Sequence, residues 1–206
     1  MTTQIATISP PTSTKTRPDL YRLSVEQYHQ MISAGILTEN DRVQLIEGAL
    51  FEMSAMGTRH VMCIKLINQS LTAILPDGWH VGTQQPVTMQ TSEPEPDLVV
   101  IRGQIRDFTN RHPAGPDVGL VIEVADTSLQ MDREQKLPVY AQAGIAEYWV
   151  VNLNDNTIEV FRNPQPGSES NKAGYQSQKI LSASDKIAVA LGDQSLGELK
   201  VSDLLP

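Results

Sequence analysis

Cysteine is almost absent: Cys63 is the only one in 206 residues. A single thiol excludes an internal disulfide and any zinc cage built on cysteines. Cys63 lies within an apolar helical pattern, which reads as a buried structural thiol rather than a nucleophile. Long apolar runs are also missing, since no window approaches the roughly twenty residues of a membrane span. The first nineteen residues, MTTQIATISPPTSTKTRPD, lack a basic start followed by an apolar block. Their Thr, Ser and Pro content reads as a tail rather than a signal peptide, and the cytoplasm is the expected compartment. Positive charge is scarce too, with 16 Lys and Arg against 24 Asp and Glu and a formal net charge of −8. A protein that coats itself with nucleic-acid backbone carries a basic stripe. Extensive nonspecific DNA coating is therefore disfavoured, and a nucleic-acid role would rest on a local positive patch, on metal ions or on a dimer groove.

What is present suits one α/β domain, an α+β mixed sheet, over residues 20–206, behind the tail at 1–19. Ser24 and Gln27 have capping-box spacing, so a helix is predicted over SVEQYHQMISAGIL. RVQLIEGALFEMS alternates around Glu47-Gly48 and predicts a hairpin. Apolar residues from Arg59 to Leu75 recur at helical spacing until Pro76-Asp77-Gly78. WHVGTQ and QPVTMQ are short strand candidates. DLVVI and GLVIEVA are near-continuous apolar runs, the pattern of strands covered on both faces. A helix from about Leu129 to Ala143 follows, then AEYWVVNL and TIEVFRN as strands joined by Asn-Asp-Asn, with Tyr148 and Trp149 as core residues. Beyond Pro164 come Gly, Ser and Asn, short β-like pieces, and SLGELKVSDLLP packed on the same domain. No internal repeat and no second domain is evident.

Two charges interrupt this apolar pattern. Asp97 stands at the mouth of one strand run and Glu123 lies within the next. Two ionised carboxylates roughly 4 Å apart repel by about 4 kcal/mol at an effective dielectric near 20. A hard divalent cation reverses that penalty, because it takes oxygen ligands. Alternation puts Glu123 on one face with Val121 and Ala125, opposite Leu120, Ile122 and Val124. In the following helix Asp132, Lys136 and Tyr140 recur every fourth residue. If that helix folds over the sheet, Lys136 approaches the carboxylates; the spacing fits a surface ion pair of Asp132 and Lys136 equally. Asp97 alone also reads as a turn or cap residue.

PEPDLVVI, LVIEVADTS, DREQKLPVYAQAGIAEYWVVNL and the upstream LIEGALFEMS with its Arg59-His60 resemble the Uma-two family of restriction-endonuclease-like proteins, in the PD-(D/E)XK nuclease superfamily. The resemblance runs from about Leu23 to Arg162, with a continuation in SLGELKVSDLLP. It implies a restriction-endonuclease-like core, a mixed sheet flanked by helices with an N-terminal helix and hairpin. It also implies DNA phosphodiester hydrolysis with Mg²⁺ or Mn²⁺ held by Asp97 and Glu123. The superfamily's lysine two residues after the glutamate is replaced here by Ala125, and the matching residue is Lys136 on the following helix. Pro138, costly in an ordinary helix interior, is carried by similar sequences, with a kink as one accommodation. Glu47 is a further acidic candidate, or a turn-facing carboxylate. His60 is a phosphate contact, a base or a cap. Asn152 departs from the Asp that similar sequences carry after YWVV.

The loop IRGQIRDFTNRH holds Arg102, Arg106, Arg111 and His112, a phosphate-binding candidate or a solvated loop. Duplex DNA is the first expected partner, with single strands or RNA using the same residues. A homodimer would bring two sites to two strands. The competing expectation is a fold retained as a binding or regulatory module without turnover.

Overall fold

The computed structural model describes residues 20–168 and 170–206; the tail expected at 1–19 lies outside the described residues. Ser24 caps α1 (Val25–Ser33) through the reciprocal bonds its spacing predicted, with Gln27 N–H donating to Ser24 Oγ and Ser24 N–H to Gln27 Oε1. Strands β1 (Val43–Ile46) and β2 (Ala49–Glu52) form the expected hairpin. Its two turn residues, Glu47 and Gly48, both have positive φ, at 47° and 73°, as the tight hairpin turn that matches strand twist demands. Helix α2 (Thr58–Thr72) follows, with Cys63, Ile64, Ile67 and Leu71 buried.

Six strands make the central sheet: β3 (Trp79–Thr83), β4 (Leu98–Arg102), β5 (Val118–Ala125), β6 (Glu147–Asn152), β7 (Thr157–Gln165) and β8 (Gly174–Ser182), in that spatial order. All neighbours are antiparallel except β5 and β6. A parallel pair needs a crossover. Here it is α3 (Leu129–Met131), a π-helical turn (Asp132–Lys136) and α4 (Leu137–Gln142). One sheet face packs on α2 and the C-terminal hairpin β9 (Lys186–Leu191) and β10 (Gln194–Lys200), with Val201 and Leu204 sealing it. The other packs on the crossover, with Tyr140, Ile145 and Tyr148 in one cluster. Leu120, Ile122 and Val124 enter the first layer, whereas Val121 and Ala125 enter the second. Glu123 therefore faces the crossover helix, as alternation requires.

Three sequence expectations change. QPVTMQ forms no strand; Thr88 makes one isolated bridge to Ala114. Gln84 N–H still reaches the Asp97 carbonyl, but Pro86 has no N–H to extend that ladder. The segment instead doubles back, with Val87 N–H donating to Pro94 O and Met89 N–H to Ser92 O. Beyond Pro164, β8 is nine residues long and borders the main sheet, so this part is not made only of short pieces. The crossover helix is not uniform either. Pro138 cannot serve the Glu134 carbonyl, which accepts from Lys172 Nζ at 2.7 Å instead. The wide turn just before it shifts the pattern so that Leu137 N–H donates to Asp132 O.

Candidate active site

The antiparallel register pairs Leu98 with Ile122, which sets Asp97 opposite Glu123. Asp97 is held from both sides: Val124 N–H donates to Oδ2 at 2.8 Å, and His60 Nε2 lies 2.9 Å from Oδ1. His60, the third residue of α2, is thus a second-helix brace on the β4 carboxylate. Burial would push the His60 imidazole down, but the hydrogen bond and charge of Asp97, with Asp126 and Asp132 beyond, hold it above its ordinary value.

Glu123 is buried beneath the crossover. Tyr140 O–H donates to its Oε1 at 2.6 Å, and Lys136 Nζ stands 2.9 Å from the same oxygen. Lys136 Nζ also lies 3.6 Å from Asp132 Oδ1. Lys136 and Asp132 side chains are 7% and 1% exposed, so theirs is no surface ion pair. The π-turn sets them on the inner side of the helix, a local widening that recurs at functional sites. Burial pushes the Glu123 carboxyl up to about 8; Asp132 and Asp97 add to the shift, and Lys136 opposes it. Lys136 is held above its ordinary value because Glu123 and Asp132 outweigh the burial that would lower it. Asp132 Oδ2 accepts from Ser128 Oγ at 2.6 Å, while its buried Oδ1 has no hydrogen-bond partner among the described residues.

These groups line one cavity of about 460 Å³. Its opposite wall comes from the hairpin and the segment before β4, with Arg42, Gln44, Glu52, Met53 and Glu95. Gln44 and Glu95 were missed by the sequence reading. Glu95 N–H donates to Gln44 Oε1, and burial raises the Glu95 carboxyl against the pull of Lys136 and Arg42. The signal was there in EPEPD: Glu93, Glu95 and Asp97 alternate between prolines, and the last two face the cavity. Glu93 instead ties the loop to α1, accepting from Thr88 Oγ1 at 2.6 Å and meeting His29 Nε2 at 2.8 Å.

Other candidates lie elsewhere. Glu47 is exposed on the hairpin turn, where its N–H donates to Ser92 Oγ. The hairpin does reach the cavity, but through Gln44 and Glu52. Arg102 closes the far end of β4, about 17 Å along the strand from Asp97 at roughly 3.4 Å per residue. Arg102 donates to Pro116 O, Arg111 pairs with Asp117 at 2.6 Å over the Phe108 ring, and Arg106 is exposed. None of the three lines the cavity. Asn152 organises the β6–β7 turn, its Oδ1 accepting from the N–H groups of Asn154 and Asp155.

Among the described residues no group of three His, Cys, Asp or Glu is gathered tightly enough to hold a metal ion. The donor chemistry nonetheless fits a hard divalent cation. Asp97 and Glu123 face each other across two strands, the orphaned Asp132 Oδ1 lies on the same wall, and every donor is oxygen.

A family model described as "Putative restriction endonuclease", Uma2, matches residues 25–197. The chain belongs to the Uma2 family. The match extends through β9 into β10, so the C-terminal hairpin is part of the family's fold rather than an appendage. A search of curated proteins gave no match. Among solved structures, a "putative nuclease belonging to DUF820 from Anabaena variabilis ATCC 29413" superposes with a TM-score of 0.65, over 88% of this chain and 97% of that one. At 14% identity, that likeness establishes the shared fold. Among the described residues, no helix is long and apolar enough to cross a membrane.

Proposed function

We propose that this Uma2 protein is a metal-dependent endonuclease that hydrolyses DNA phosphodiesters, with residues 20–206 acting as one domain. The supporting observation is the convergence of Asp97, Glu123 and Lys136 from β4, β5 and the crossover helix on one cavity. Mg²⁺ or Mn²⁺ held by Asp97 and Glu123 would supply an activated water and neutralise phosphate charge. Tyr140 and Lys136 fix the Glu123 carboxylate, and His60 and the Val124 N–H fix Asp97. Lys136, held charged between two carboxylates, presents its ammonium where negative charge develops on the phosphate. Arg102, Arg106 and Arg111 are assigned to flanking DNA rather than to the scissile phosphate. Cutting both strands of a duplex is assigned to a homodimer with two such cavities.

The test is cleavage of supercoiled plasmid and of a single-stranded oligonucleotide in Mg²⁺, Mn²⁺ or EDTA. Cutting in either metal that EDTA abolishes supports the proposal. Folded protein that cuts neither substrate in any condition supports the second reading, a nuclease fold kept as a binding module. That reading draws on the formal charge of −8 and on a cavity whose only Lys or Arg residues, among the described residues, are Arg42 and Lys136.

A further inference from the structure

A second cavity, of about 710 Å³, adjoins the first. The two share Arg42, Gln44, Met53, Met56, Gln84 and Glu95. Gln84 Nε2 donates to Met56 Sδ at 2.8 Å, linking the segment after β3 to the one before α2 at their common border. The volume falls within the roughly 300–1,000 Å³ of small-molecule sites. Its chemistry differs from that of the first chamber. Ile32 and Leu37 from the α1 end, with Pro86 and the two methionines, give it apolar walls. Gln44, Gln84 and Glu95 add amide and carboxyl groups at the edge nearest Asp97.

Resting on the nuclease reading, we infer that this second chamber receives one unpaired nucleobase of the substrate strand, next to the scissile phosphate. Continuity with the first chamber places such a group one residue along the strand from the reacting centre. Glu39, Glu93 and Glu95 outnumber Arg42 and His112 on its walls, which disfavours a phosphate there. A base is uncharged, flat and apolar on its faces, and carries donors and acceptors on its edge. Stacked inside a duplex it cannot enter, so the nucleotide must be flipped out or already single-stranded. The substrate class is therefore DNA with an unpaired or extrudable nucleotide beside the cut.

The test uses the full chain with [¹³C-methyl]methionine, in Ca²⁺, titrated with a pentadeoxynucleotide carrying a central adenine and with the same strand abasic at that position. The adenine strand is expected to shift the Met53 and Met56 methyl signals. The abasic strand should bind about tenfold more weakly, the scale of losing one stacked base, and shift these shared-wall signals less than the adenine strand does. Met131 lines only the first chamber and should respond to both strands. Ile32→Glu, at an exposed α1 position that lines only the second chamber, should erase the difference between the strands. Equal affinities, shifts confined to Met131, or binding of neither strand would overturn the inference. Cleavage in Mg²⁺ is scored separately. Cutting without a base-dependent shift removes the base pocket and keeps the nuclease, whereas a base-dependent shift without cutting does the reverse.

Discussion

Tyr140 and Cys63 illustrate how differently two fully buried polar side chains behave. Tyr140 donates to Glu123 at 2.6 Å, a hydrogen bond to a carboxyl oxygen in a dry setting. Leaving such a buried acceptor without its donor costs about 1–3 kcal/mol. Tyr140→Phe keeps the ring and its packing against Tyr148 but removes the donor. Urea unfolding should show a loss of roughly that size, and turnover should fall because Glu123 keeps only its contact with Lys136. Cys63 only donates to the Leu204 carbonyl, and burial pushes its thiol up to about 12. Native protein at pH 8 should therefore leave a thiol reagent such as DTNB unreacted until denaturant is added; rapid native labelling would show that the C-terminal segment opens. Glu123 and Lys136 were visible in the sequence because a strand has period two and a helix nearly four, so each could be assigned a face. Glu95 and Gln44 were not, since nothing local says which loop a hairpin docks against.

At the scale of elements, turns carry the most testable chemistry. Gly48 has φ of 73°, and a Cβ there would come 2.8 Å from the Leu23 carbonyl and from Arg22 Cβ. Gly48→Ala should destabilise by more than about 1 kcal/mol, read as a lower urea midpoint, because both the backbone and its surroundings oppose the methyl group. Asp185 holds the β8–β9 turn, its Oδ2 accepting from Ser182 N–H at 2.7 Å and Ser182 Oγ at 2.7 Å. Those bonds keep its carboxyl below the usual value. The stabilisation is thus present above the ordinary carboxylate pKa near 3.9 and lost as pH falls through the lower folded value. Asp41 and Asp117 are lowered in the same direction, by Thr38 and by Arg111 respectively. Acid unfolding followed by circular dichroism should have a shallower limb below pH 4 in Asp185→Asn than in the wild type. The helices and the mixed sheet followed from apolar periodicity and from the order of the elements. The π-turn did not, because Pro138 announces a defect without saying whether the helix kinks or widens.

The whole molecule is acidic, yet its proposed substrate is a polyanion. Among the described residues, Arg42 and Lys136 are the only Lys or Arg side chains on the first cavity, and the arginines of the 102–111 loop stand at the other end of β4. Binding to duplex DNA should therefore weaken only gently with salt, with a slope of about 2–3 in log K against log salt for two or three phosphate contacts. Arg106→Ala should reduce that slope by about one if the loop touches flanking phosphates, while leaving the cleavage rate of bound DNA unchanged. The layered arrangement was legible in the sequence as two apolar strands bracketed by helices. How far the crossover folds over the sheet was legible only as a condition, and the 2.9 Å contact of Lys136 with Glu123 supplies it.

The most direct measurement is plasmid cleavage in Mg²⁺ by the wild type beside Asp97→Ala and Lys136→Ala, each first shown to be folded by circular dichroism. Metal-dependent cutting by the wild type that falls at least a hundredfold in both variants, about 2.7 kcal/mol of transition-state stabilisation each, is the predicted result. Cutting that persists undiminished in both variants would contradict the site described here, because it would have to arise without the carboxylate of β4 and the lysine of the crossover helix.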